Sequence, residues 1–195
     1  MTLAARQRAV AILGLSAFLA QPATAAEWWF AAAAPQAVAF VDLASLERAG
    51  EVATVSLEYR VRAPDNGVEY TRIKIAYDCG NAASIVLAEQ GFAGDTPVTV
   101  ETHGSAAEAN QPGTMGGAVQ EFVCGAAEDR AGEGDRLTLP TARVATRFFK
   151  LAAVGIEPPT AMILAGYQAV PPREALEQWI APELRTTVAA ILADD

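Results

Sequence analysis

One histidine, His103, and two cysteines stand in 195 residues. A single imidazole excludes a metal site built on several histidines and any mechanism that needs two of them. Other short signatures of chemistry are missing too. There is no CxxC pair, no GxGxxG opening a helix, no Walker lysine and no GxSxG elbow. Basic residues are scarce: 14 Lys and Arg face 23 Asp and Glu, a formal net charge of −9. A surface of that sign repels phosphate backbones and anionic lipid heads, so nucleic acid is disfavoured as a partner. Long apolar runs are also few. Thr160–Val170 is apolar but only about 11 residues long and flanked by prolines, too short to span a bilayer.

The N-terminus reads as a processing segment over residues 1–25. Arg6 and Arg8 form a positive start, Ala9–Ala20 a short apolar stretch, and Ala23-Thr24-Ala25 a small-x-small cleavage site after Pro22. Twelve apolar residues make about 18 Å of helix, short of a ~30 Å hydrocarbon core. Cleavage is therefore expected, leaving a chain that starts at Ala26 or Glu27. No cysteine near that point offers lipid attachment, and Arg6-Gln7-Arg8 lacks adjacent arginines. The pattern predicts export by the general secretory route, to the periplasm first, with the cell surface or the medium as further destinations. About 170 residues then remain, enough to bury a real core.

The clearest pattern in that remainder runs from Glu51 to Cys79. Val55, Leu57, Tyr59 and Val61 share one parity, and Thr54, Ser56, Glu58, Arg60 and Arg62 the other. Ile73, Ile75, Tyr77 and Cys79 alternate with Arg72, Lys74 and Asp78. Period-2 alternation predicts two strands with one face in a core and one in water. Ala63-Pro64-Asp65-Asn66-Gly67 supplies the turn residues of a hairpin. In an exported chain Cys79 and Cys124 are expected to pair, since neither has the spacing or histidine neighbours of a metal site. The bridge closes a loop of about 46 residues, worth roughly 4 kcal/mol by chain entropy.

Around this hairpin, Trp28-Trp29-Phe30 reads as a first strand packed on the sheet, and Ala37–Asp42 as a second. Leu43–Gly50 reads as a short helical turn capped by Asp42 and stopped by glycine. Ala82–Glu89 is a further strand, Gln90–Thr96 a loop and Pro97–Glu101 a short strand. Thr114–Gly125 predicts a helix with Thr114 as N-cap and Met115, Val119, Phe122 and Val123 on its apolar face. Gly116 and Gly117 weaken it intrinsically.

The order Trp28, Phe40-Val41-Asp42-Leu43-Ala44-Ser45-Leu46, Glu51–Arg62, Tyr70 to Tyr77-Asp78-Cys79, then Val123-Cys124 resembles the surface-adhesin protein E family. The likeness covers residues 27–125. It implies an antiparallel sheet with helical packing and a cysteine bridge, in a small exported bacterial protein. The family's named member is a lipid-anchored surface protein that binds host matrix proteins. This chain lacks the lipid-attachment cysteine and is strongly acidic, both departures from that role.

Past this region, 126–136 is a charged, glycine-rich linker, and 137–195 a helical C-terminal extension outside the resemblance. Leu139, Val144, Phe148, Phe149 and Leu151 mark an amphipathic helix over about 141–154. Arg173–Ala181 and a helix begun by Pro182 follow. Such helices either cover the sheet's second face or form a separate docking element for an envelope complex. The expected fold is thus α+β: an antiparallel sheet of five or six strands, a disulfide-linked helix and the helical extension.

The expected function is non-enzymatic: an envelope protein that binds, adhesin-like, with a protein partner in the envelope or host matrix and no cofactor or metal. Trp28, Trp29 and Phe30 are the candidate ligand-binding residues, against a plain core role for the same side chains. The enzymatic alternative is a periplasmic hydrolase using His103 with Ser84 or Ser105.

Overall fold

The alternation through 51–79 pairs as the pattern requires: Val55 lies opposite Ile75, Leu57 opposite Ile73 and Glu58 opposite Arg72. The computed structural model describes residues 26–64, 67–101, 106–127, 136–168, 171 and 173–194. Its strands are β1 Trp28–Ala34, β2 Ala37–Ala49, β3 Val52–Val61, β4 Tyr70–Asp78, β5 Ala83–Ala93, β6 Thr96–Glu101 and β7 Glu108–Ala109. They form one antiparallel sheet in which β1 to β6 neighbour one another in chain order and β7 pairs with β5. The helices are α1 Met115–Cys124, α2 Thr141–Ala153, α3 Pro158–Gly166, α4 Arg173–Trp179 and α5 Arg185–Ala193. A 3-10 turn, Pro182–Leu184, runs into α5. The expected α+β class is what the chain adopts.

One sheet face is closed by α1. Val41, Val55, Leu57, Ile75 and Tyr77 pack there against Val119 and Val123. The Thr114 hydroxyl caps α1 by accepting from Gly117 N at 3.1 Å. The glycine pair that weakens this helix has a steric reason: a Cβ on Gly117 would collide with the Gln111 carbonyl. Close backbone approach therefore outweighs helix propensity at that position. The Cys79–Cys124 disulfide ties α1 to the end of β4 across a sequence separation of 45. Gln120 Nε2 donates to Asp78 O beside it at 3.0 Å. Replacing both cysteines by alanine should lower unfolding free energy by about 4 kcal/mol, read from the urea midpoint. A loss under about 1 kcal/mol would mean that noncovalent packing alone fixes α1.

The second face is closed by the C-terminal helices. Phe30, Val38 and Phe40 pack against Val144, Phe148 and Leu151 of α2, and the same core takes in Leu164, Leu176, Ile180, Val188 and Leu192. Phe30 lies 5.1 Å from Phe40 and 5.8 Å from Phe148, ring to ring. Among the described residues no helix is long and apolar enough to cross a membrane.

Three expectations need correction. Leu43–Gly50 is not a helical turn; β2 runs through to Ala49, with a bulge in which Leu43–Leu46 stand opposite Val55 alone. Asp42 braces that bulge, its carboxylate accepting from Glu27 N and Ala44 N, and Ser45 Oγ accepts from Ser56 N across the strands. A bulge mimics the local spacing of a turn, so periodicity alone misreads it. Gln90–Ala93 belongs to β5 and not to a loop, because Phe92 stacks on Tyr70 at 4.7 Å. The turn comes one residue later, at Gly94, whose φ of 56° suits a tight hairpin. The third correction concerns the Glu58 parity of β3, expected in water: Glu58 is 1 % exposed.

Candidate functional site

Glu58 sits mid-strand on the face covered by the C-terminal helices, with Phe40 beside it on β2 and Arg72 beside it on β4. Its carboxylate accepts from Arg60 Nε at 2.7 Å and Arg72 Nε at 3.2 Å. It also accepts from the hydroxyl of Thr141, the first residue of α2, so the positive end of that helix lies against the anion. A buried carboxylate survives only when paired and hydrogen-bonded in this way.

The two arginines are held by aromatic rings as well. The Arg60 guanidinium lies 4.1 Å from the Tyr70 ring centre, and Tyr70 is stacked on Phe92. Arg72 lies 5.2 Å from Phe92, 5.5 Å from Tyr70 and 6.0 Å from Trp28. Cation–π contact on rigid rings adds to the ion pairs and fixes each guanidinium plane.

Arg60 also lines a hollow of about 300 Å³ between the loop end of the β3–β4 hairpin and α2. Arg62, Pro64, Glu69, Thr146 and Phe149 complete its working wall. A second hollow, of about 330 Å³, is lined by Arg143, Thr146, Arg147, Lys150 and Asp194. Arg147 is anchored by donating to Tyr167 O at 2.7 Å and Leu192 O at 2.6 Å. Burial, and then the charge of Arg143, lowers its pKa, yet a guanidinium remains a cation at neutral pH. Lys150 pairs with Asp194 at 2.5 Å, and that hydrogen bond holds the Asp194 carboxyl below the usual range. The first hollow sets exposed Arg62 and the anchored Arg60 beside Phe149 and Pro64, an arrangement that can take an anion. In the second, Lys150 is paired and Arg147 is buried. Among the described residues no group of three or more His, Cys, Asp and Glu is placed to hold a metal.

Strand alternation separates the three aromatic candidates. Phe30 is buried in the helix-side core, and Trp28 packs half-buried against the same core. Trp29 points the other way, 6.5 Å from Phe122 of α1, with its indole nitrogen donating to Glu27 at 3.3 Å. They do not form one surface; Trp28 alone borders the arginine cluster. His103 and Ser105 lie outside the described residues, as do residues 1–25 and 128–135 of the linker. Ser84 is buried and donates to Asn110 at 3.3 Å. Sequence reasoning missed Glu58, Arg60, Arg62, Arg72 and the α2 cations. The available signals were opposite charges facing each other at 58 and 72, and cations at 143, 147 and 150 on one helical stripe. Comparison with protein-family models, with curated proteins and with solved structures gave no match for this chain.

Proposed function

We propose that this is an exported, non-enzymatic binding protein of the bacterial envelope, adhesin-like in type, which takes an anionic group of its ligand at Arg60 and Arg62. One observation carries the reading: Arg60 is fixed between Glu58 and the Tyr70 ring at the wall of a ligand-sized hollow. An arginine held before the ligand arrives loses little rotamer entropy on binding. Phe149 and Pro64 give the same hollow an apolar side. The disulfide suits an oxidising compartment, and the leader-like residues 1–25 suit export to one. The likeness to the surface-adhesin protein E family points the same way, toward a partner in the envelope or host matrix.

The test is a nuclear magnetic resonance titration of the chain from Ala26 with phosphate, sulfate, succinate and glucuronate. Shifts should concentrate at Arg60, Arg62 and Thr146. Arg62→Glu, an exposed position, should abolish them while leaving the unfolding midpoint unchanged. Absence of any response at the hollow would overturn the binding reading. Turnover of ester or glycan substrates that vanishes in His103→Ala would overturn the non-enzymatic one.

A further inference from the structure

Among the described residues, Gln120 Oε1 and Asn110 Nδ2 are buried polar atoms with no hydrogen-bond partner. An orphaned buried amide is costly, so native structures satisfy nearly all of them. The two side chains converge on one place. Gln120, only 6 % exposed, donates from Nε2 to Asp78 O, and Asn110 N donates to Ala82 O, at the two ends of the β4–β5 turn. Gly116 stands one helical turn before Gln120 on α1, and a Cβ there would come within 3.0 Å of Asn110 Oδ1. Side chains on a helix lean toward its N-terminus, so Gln120 reaches back over the Gly116 turn, toward Asn110. Gly116 has no side chain to put between the two amides.

We infer that a buried water molecule bridges Asn110 and Gln120 and ties the middle of α1 to the β4–β5 turn. The inference is independent of the anion-binding reading. The inventory of donors and acceptors selects water. Gln120 has one orientation, since its amide nitrogen meets the Asp78 carbonyl, and its oxygen therefore needs a donor. Asn110 accepts from the Ser84 hydroxyl at 3.3 Å and offers a spare N–H. A water donates to Gln120 Oε1 and accepts from Asn110 Nδ2. Were the Asn110 amide turned over, its oxygen would need a donor too, and one water supplies both. The Ser84 hydroxyl keeps a lone pair for a third bond, the usual number for a buried water. A cation fits only the turned form, and the Asp78 carboxylate is engaged with Gly80 N, Asn81 N and Asn81 Nδ2 instead. The Cys79–Cys124 bridge holds the far end of α1, so a helix weak by sequence is fastened at two points.

The test is a double-mutant cycle on the disulfide-bonded chain from Ala26, with Asn110→Ala and Gln120→Met read by urea unfolding. The two side chains share no direct hydrogen bond, so without a bridge their effects should simply add. With the bridge, the double variant should miss additivity by more than about twofold in the unfolding equilibrium constant. Water–protein cross-relaxation in nuclear magnetic resonance should show a long-lived water at the side-chain amide protons of Asn110 and Gln120. Gln120→Met should abolish that signal at Asn110, whereas Gln178→Met, exposed on α4, should leave it unchanged. If Gln120→Met fails to fold, the water signal of the parent chain decides. Strict additivity, or no long-lived water at either amide, would overturn the inference. Coupling without a bound water would overturn it too, in favour of direct contact between the amides. A high-resolution crystal structure showing a metal ion between them would do the same.

Discussion

A chain ending at residue 136 should fail to fold cooperatively. Without 137–195, Phe30, Val38 and Phe40 lose the α2 side chains that bury them. Each such apolar side chain contributes about 1.5–3 kcal/mol when fully buried, and a small domain's whole stability is only about 5–15 kcal/mol. The loss reaches β1 as well, since Leu137 N donates to Trp28 O at 2.9 Å along its outer edge. The truncated chain should show non-cooperative urea unfolding and expose apolar surface to a hydrophobic dye. A gentler version keeps the prediction quantitative: Phe148→Ala, at a fully buried position, should cost about 3–5 kcal/mol. Sharp two-state unfolding of 26–136, with the disulfide intact, would instead make the helices a separable layer.

Glu58→Ala should cost about 3–5 kcal/mol, as expected when one partner of a buried ion pair is removed. Arg60, whose side chain is only 13 % exposed, is then left with the Tyr70 ring and no carboxylate, and the Thr141 hydroxyl at the start of α2 loses its acceptor. The double variant Glu58→Ala/Arg72→Ala should cost less than the sum of the two singles, because Arg72 has lost its pair already. Glu58 holds Arg60 in place, so under the proposed binding reading Glu58→Gln should also weaken anion binding by allowing Arg60 to turn. A cost below about 1 kcal/mol, with binding unchanged, would mean that water takes over the role of the carboxylate.

Much of the sheet was legible in the residues. Alternation through β3 and β4 named the core side chains Val55, Leu57, Ile75 and Tyr77, and period-3.6 spacing named Val144, Phe148 and Leu151. Those patterns are local, and burial follows from them once any partner surface exists. The bulge at Leu43–Leu46 was not legible. Its four residues look like a turn until Ser45 is seen accepting from Ser56 on the next strand.

The candidate site was the least legible part. Glu58, Arg60 and Arg72 read in the sequence as a solvated stripe, and nothing in their spacing says that a helix eighty residues later will cover it. Arg62 and Arg143 are far apart along the chain and become lining residues of adjoining hollows only because α2 crosses the hairpin's loop end.

The residues alone therefore determined the apolar side of β3 and β4, the buried stripe of α2 and the pairing of Cys79 with Cys124. Tertiary structure decided that both sheet faces are covered, and so which charges are buried, paired and aimed. The reason is physical. Hydrophobic periodicity is written within a dozen residues, whereas the burial of a charge depends on which distant surface excludes water from it.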